Sequence, residues 1–212
     1  MSDWVRRAFD SIGGTQSPPG AYLKVLQDKY MGKVFLCIDV SGSMSENAGG
    51  GKTRLQAAVA GAKVFVKEAV AAHYQVGLIL WDDSVHVFVP LSGDPAAVDT
   101  ALSRATIAGG TALAPTLTKG IDQLRKLRGD RVIAIFSDGE IPDIRRAREL
   151  SKEAARLEIR ILVRGLGRSA AASLEQVATE GDVAENVVGT SAEIESGIAS
   201  MARRIINRKG RP

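Results

Sequence analysis

Val34-Phe35-Leu36-Cys37-Ile38-Asp39-Val40-Ser41-Gly42-Ser43 joins an unbroken apolar run to one acid and two hydroxyls. An apolar run of that length bounded by turn residues reads as a buried strand. The carboxylate and both hydroxyls of Asp39, Ser41 and Ser43 therefore emerge together where the strand reaches the surface. Donors that are all oxygen suit a hard cation, and Mg2+ in particular keeps several waters and needs few protein ligands. Gly42 is expected to let the turn bend tightly. Two later stretches repeat the arrangement: Gly109-Gly110-Thr111, and Val132-Ile133-Ala134-Ile135-Phe136 leading into Ser137-Asp138-Gly139. Each polar group follows the expected C-terminal end of a strand, and open parallel α/β sheets collect ligands in the crevice outside those ends.

Outward from these runs, strand-like and helix-like segments alternate. Residues 53 to 72 place Leu55, Val59, Ala62, Val66 and Ala69 at helical spacing. Gln75 to Leu80 reads as a central strand, and Ser84 to Leu91 alternates valines with Ser84, His86 and Phe88. The short link Trp81-Asp82-Asp83-Ser84 predicts a hairpin, which makes the second of these an antiparallel edge strand. A helix from Asp94-Pro95 to Arg104 follows, with Asp94 as cap and Pro95 at the first helical position. The next helix, 113 to 128, ends in Arg125, Lys126 and Arg128, which complement the negative end of a helix dipole. Beyond Asp138 come a helix at 143 to 157, a strand at 159 to 164, a helix at 169 to 180, a short strand near 183 to 188 and a terminal helix from 191 to 207. The pattern predicts an α/β fold, doubly wound, with a mainly parallel sheet, one antiparallel edge strand and helices on both faces. Residues 1–32 form an N-terminal extension, 33–207 the domain and 208–212 a basic tail. The extension holds a loop-like Gly13 to Gly20 and an amphipathic cluster, Trp4, Val5, Ala8 and Phe9, expected to cover the core.

In its three loops the chain resembles the von Willebrand factor A (VWA) domain family of intracellular bacterial type, with an intact metal-ion-dependent adhesion site (MIDAS). The family's Asp-x-Ser-x-Ser stretch matches Asp39, Ser41 and Ser43, its loop threonine matches Thr111 and its distal aspartate matches Asp138. The resemblance covers about residues 33 to 205. It implies a Rossmann-like VWA fold and a non-enzymatic adaptor that binds a partner protein through Mg2+, with Mn2+ or Ca2+ as alternatives. It also implies direct coordination by Ser41, Ser43 and Thr111, with Asp39 and Asp138 acting partly through waters. The partner supplies an Asp or Glu to the metal. Family members work beside AAA-type ATPases or within larger complexes, and in some the threonine loop is coupled to the terminal helix. Ser137 stands where many members carry threonine, a change expected to leave metal binding intact.

Composition agrees with one ordinary domain: 212 residues, 45% hydrophobic and 25% charged. A single cysteine, Cys37, excludes an internal disulfide and reads as a buried, inert thiol. The N-terminus lacks the apolar core of a secretory signal, and no stretch approaches the roughly 18 apolar residues that span a bilayer. A reducing, cytoplasmic setting without membrane contact is expected. The net charge of +4 and pI near 9.3 arise from Arg145, Arg146 and Arg148 and from the tail Arg203, Arg204, Arg208, Lys209 and Arg211. Aromatic side chains for stacking bases are scarce nearby, so solvated helix faces are expected before a nucleic-acid surface.

Other motifs carry less. Gly51-Lys52-Thr53 resembles the end of a phosphate-binding loop, but Glu46 occupies the required glycine position. Asp39-Val40-Ser41 lacks the second acid of aspartyl-phosphate enzymes. His73 and His86 read as structural. Asp82 and Asp83 leave a central strand and could border the cation; Glu140 and Asp143 read as solvated loop acids. Two alternatives stand beside the adaptor: an Mg2+-dependent phosphoester hydrolase, and a basic nucleic-acid-binding protein on the same scaffold.

Overall fold

A computed structural model describes residues 20, 30–179 and 190–208, with only the backbone at Arg208. The chain divides into two units, Met1–Tyr30 and Met31–Pro212, and the sheet belongs to the second. The expected cluster at Trp4 to Phe9, the short strand near 183 to 188 and the basic tail from Lys209 lie outside the described residues.

Five strands form one sheet: β1 (Gly32–Asp39), β2 (Tyr74–Trp81), β3 (Val85–Ser92), β4 (Arg131–Ser137) and β5 (Arg160–Gly165). Their spatial order is β3-β2-β1-β4-β5. β1 pairs in parallel with both β2 and β4, β4 in parallel with β5, and β3 antiparallel with β2 at the edge. The winding reverses between β1 and β4, which places the crevice of a doubly wound sheet beyond Asp39 and Ser137.

Every residue of β1 is buried, as covering both faces of a parallel sheet demands. Its side chains alternate between two cores. Val34, Leu36 and Ile38 pack beneath α1 (Arg54–Ala71), α2 (Ala96–Ser103) and α6 (Ser191–Arg208). Phe35 and Cys37 pack beneath α3 (Ala114–Leu124), α4 (Ile144–Arg156) and α5 (Gly167–Glu175). Each fully buried large side chain contributes roughly 1.5–3 kcal/mol. α1 begins on a capping box: the Gln56 amide donates to Thr53 Oγ1 and the Thr53 amide to Gln56 Oε1. Gly61 lets α1 and α6 touch, since a Cβ there would lie 2.6 Å from the Glu195 carbonyl oxygen.

α3 stops at Leu124 with Arg125 as its C-cap, so Lys126 and Arg128 lie past the helix end rather than in its last turn. Leu127 still packs on the core, so the apolar spacing runs on after the backbone has left the helix. α5 starts at Gly167 and ends at Glu175. Pro95 is the N-cap of α2, and Asp94 acts one residue earlier, its Oδ1 accepting from the Ala96 amide at 3.0 Å. Gly42 opens a 3-10 turn, Gly42–Ser45, without a positive φ, and a Cβ there would meet nothing within 4 Å. The turn does not require glycine.

Candidate metal centre

The turn after β1 is built by Asp39. Its Oδ1 accepts the Ser41 amide at 2.8 Å and its Oδ2 accepts the Ser137 hydroxyl at 2.5 Å. One buried carboxylate thus ties the ends of two neighbouring parallel strands. Ser41 and Ser43 hydroxyls share a hydrogen bond of 3.2 Å, and Ser43 Oγ donates to Asp138 Oδ1 at 2.7 Å. Asp39, Ser41, Ser43 and Asp138 therefore form one connected set, drawn from positions almost a hundred residues apart in sequence.

Thr111 sits half-buried on the adjoining loop, and its hydroxyl makes no hydrogen bond to the other four among the described residues. Its loop is held against the first turn by backbone. The Gly42 amide donates to the Gly109 carbonyl at 3.2 Å and the Ala108 amide to the Val40 carbonyl at 2.8 Å. Asp82 completes the fastening. Its Oδ2 accepts the Gly109 amide at 3.1 Å, and its Oδ1 accepts both the amide and the hydroxyl of Ser84. Burial alone would push the Asp82 carboxyl up, but these donors and the charge of His86 outweigh it and hold the group below the ordinary carboxylate range. Asp82 thus anchors the loop that carries Thr111. Asp143 is likewise no solvated acid: its two oxygens accept the amides of Leu113 and Ala114 at 2.9 and 2.7 Å, which caps α3 from across the site. Glu140 accepts the hydroxyl of Ser169.

Arg54, the first residue of α1, carried no sequence signal. Its Nη1 donates to Asp138 Oδ2 at 2.9 Å and its Nη2 reaches Glu46 Oε2 at 2.7 Å. The Asp138 side chain is wholly buried beneath this contact.

The donor chemistry fits a hard divalent cation. Burial pushes the Asp39 carboxyl up, against the hydrogen bonds from Ser137 and Ser41, and the charge of Asp138 adds to the push. A cation between buried acids relieves that penalty. Among the described residues no three His, Cys, Asp or Glu side chains gather as a metal-binding group, so an ion here depends on hydroxyls, which suits Mg2+ rather than a soft metal.

No curated protein matches the chain in sequence. Solved structures share its fold at low identity. The vWF domain of the type V pili tip protein Mfa5 from Porphyromonas gingivalis aligns with TM-score 0.73 and 14% identity, over 87% of this chain and 98% of that one. The SpRpn10 VWA domain gives TM-score 0.67 and 15% identity, over 79% and 94%. The pilus adhesin SpaC from Lactobacillus rhamnosus GG gives TM-score 0.71 and 16% identity over 84% of this chain, which spans 31% of the adhesin. The sequence pattern of the von Willebrand factor type A domain matches residues 34–140, half of the chain, a span that includes Asp39, Ser41, Ser43, Thr111 and Asp138. The chain belongs to the von Willebrand factor type A domain family.

Proposed function

We propose that the protein is a non-enzymatic adaptor that binds a partner protein through a divalent cation, Mg2+ before Mn2+ or Ca2+, held by Ser41, Ser43, Thr111, Asp39 and Asp138. The observation that carries this reading is the connected set Ser41–Ser43–Asp138, with contacts of 3.2 and 2.7 Å, at the point where the sheet reverses its winding. Neutral hydroxyls and two acids leave a bound ion with positive charge to share, and such an ion attracts an anionic oxygen from outside. The chain's own residues do the rest. Ser137 and the Ser41 amide orient Asp39, Asp82 fixes the Thr111 loop, and Asp143 steadies the helix behind that loop.

The partner is a protein that offers an Asp or Glu side chain, in the cytoplasm, with an AAA-type ATPase or a larger complex as the candidate. SpaC and Mfa5 are named as an adhesin and a pili tip protein, which supports binding over turnover as the use of this fold. Among the described residues no helix is long and apolar enough to cross a membrane. The test is a pull-down from native extract with Mg2+ or with chelator, for wild type and Asp138→Ala. Partners retained only by wild type with Mg2+ are expected. Equal recovery under all four conditions removes the metal from the account, and turnover of a simple phosphoester with Mg2+ replaces the adaptor by a hydrolase.

A further inference from the structure

Asp138 already carries a cation. Arg54 lies directly behind the capping Thr53, and its backbone amide donates to the Glu46 carbonyl at 2.9 Å. The intervening loop is closed by a bridge between Asn47 and Thr53 and reverses through Gly49, Gly50 and Gly51, all at positive φ. Glu46 in turn donates its amide to the Ser43 carbonyl at 3.0 Å. Arg54 and Glu46 are thus pinned beside the candidate metal centre by backbone, and the guanidinium bridges the buried Asp138 to Glu46, whose side chain is 60% exposed.

A guanidinium stays charged at every pH a protein tolerates. With Oδ1 of Asp138 held by Ser43 and Oδ2 by Arg54, the acid meets any incoming ion half-neutralised. A fixed positive charge there weakens the hold on a bare divalent cation and leaves more of the site's positive potential for an anion. The guanidinium carries five N–H donors, more than the contacts to Asp138 and Glu46 use, and its side chain is 24% exposed.

Resting on the metal-site reading above, we propose that Arg54 is a specificity residue of that site: it keeps affinity for the bare cation low and shifts the site's preference towards an acidic ligand that joins the ion. Glu46 opposes it by sharing the guanidinium.

The experiment measures Mn2+ binding to the 212-residue chain by the electron paramagnetic resonance signal of free Mn2+, without any partner. Wild type is compared with Arg54→Gln, Arg54→Lys and Glu46→Gln, each checked for fold by circular dichroism. Arg54→Gln is expected to bind Mn2+ on the order of tenfold tighter. Arg54→Lys, which keeps the charge, should stay within about threefold of wild type, and Glu46→Gln should bind a few-fold more weakly. Equal or weaker binding by Arg54→Gln overturns the proposal, as does Arg54→Lys binding as tightly as the glutamine variant. Should Arg54→Gln not fold, Glu46→Gln decides, and unchanged or tighter binding there counts against the proposal. A wild type that binds Mn2+ while the variants fail these expectations removes only the role of Arg54. Absence of Mn2+ uptake by wild type and every variant removes the metal site itself and the proposal with it.

Discussion

Asp82 uses both carboxylate oxygens on the loop that carries Thr111 and on Ser84. Replacing it with alanine leaves the Gly109 and Ser84 amides without partners, which should cost about 2–3 kcal/mol in chemical denaturation. The same residue sets a pH dependence. Its folded carboxyl lies below the ordinary value, so its stabilising share is complete above the unfolded pKa of about 3.9 and is lost as pH falls through the folded value. Wild type should therefore lose stability below about pH 4 more steeply than Asp82→Asn, and parallel curves would contradict this assignment. Among the candidate metal ligands, Asp39 and Asp138 could be read from sequence because each stands one or two positions past an apolar strand, and Ser41 and Ser43 follow in the same turn as Asp39; Thr111 departs from that expectation, since its loop follows α2 and not a strand. Arg54 could not: its partner Asp138 is 84 residues away, and a lone arginine at a helix start has no pattern to mark it. Asp143 was hidden for the same reason, since an acid near one helix start gave no sign that it caps another.

Among the elements, α1 rests on a complete capping box, so Thr53→Ala should cost about 1 kcal/mol and loosen the loop that places Arg54. At the opposite end of the sheet from the candidate site, Asp130 joins β4 to β5 and β2. It accepts Nε and Nη2 of Arg160 at 3.0 and 2.6 Å and the Tyr74 hydroxyl at 2.5 Å, and the Ile205 carbonyl of α6 lies 3.0 Å from the same hydroxyl as its alternative acceptor. Arg160 is only 13% exposed, so Asp130→Ala strands a largely buried cation, at a cost of about 2–4 kcal/mol in the same denaturation assay. Strands and long helices were legible from their two periodicities, as β1 and α1 show to within a residue or two. Helix ends were less so. At α3 the apolar spacing from Leu124 to Leu127 outlasts the helix, and at α5 the chain enters through Gly167 at a φ of 77°, two residues before the alanine-rich stretch suggested.

For the molecule as a whole, the sheet order β3-β2-β1-β4-β5 brings the ends of β1 and β4 side by side, and that adjacency converts two distant sequence motifs into one site. Sequence alone supplied the strand alternation and the edge hairpin; the adjacency came from the family resemblance, because periodicity says nothing of which strands neighbour one another. A cation that binds only the folded chain must stabilise it, by about 2.7 kcal/mol at a hundredfold excess over its dissociation constant. Mg2+ should accordingly raise the thermal midpoint of wild type and leave Asp138→Ala unmoved. The most direct measurement is anomalous diffraction from a crystal soaked in Mn2+. One strong peak is expected about 2.1–2.3 Å from the hydroxyls of Ser41 and Ser43, with the Thr111 loop alongside. No peak between those turns, with Ser41 and Ser43 still hydrogen-bonded to each other at high Mn2+, would contradict it.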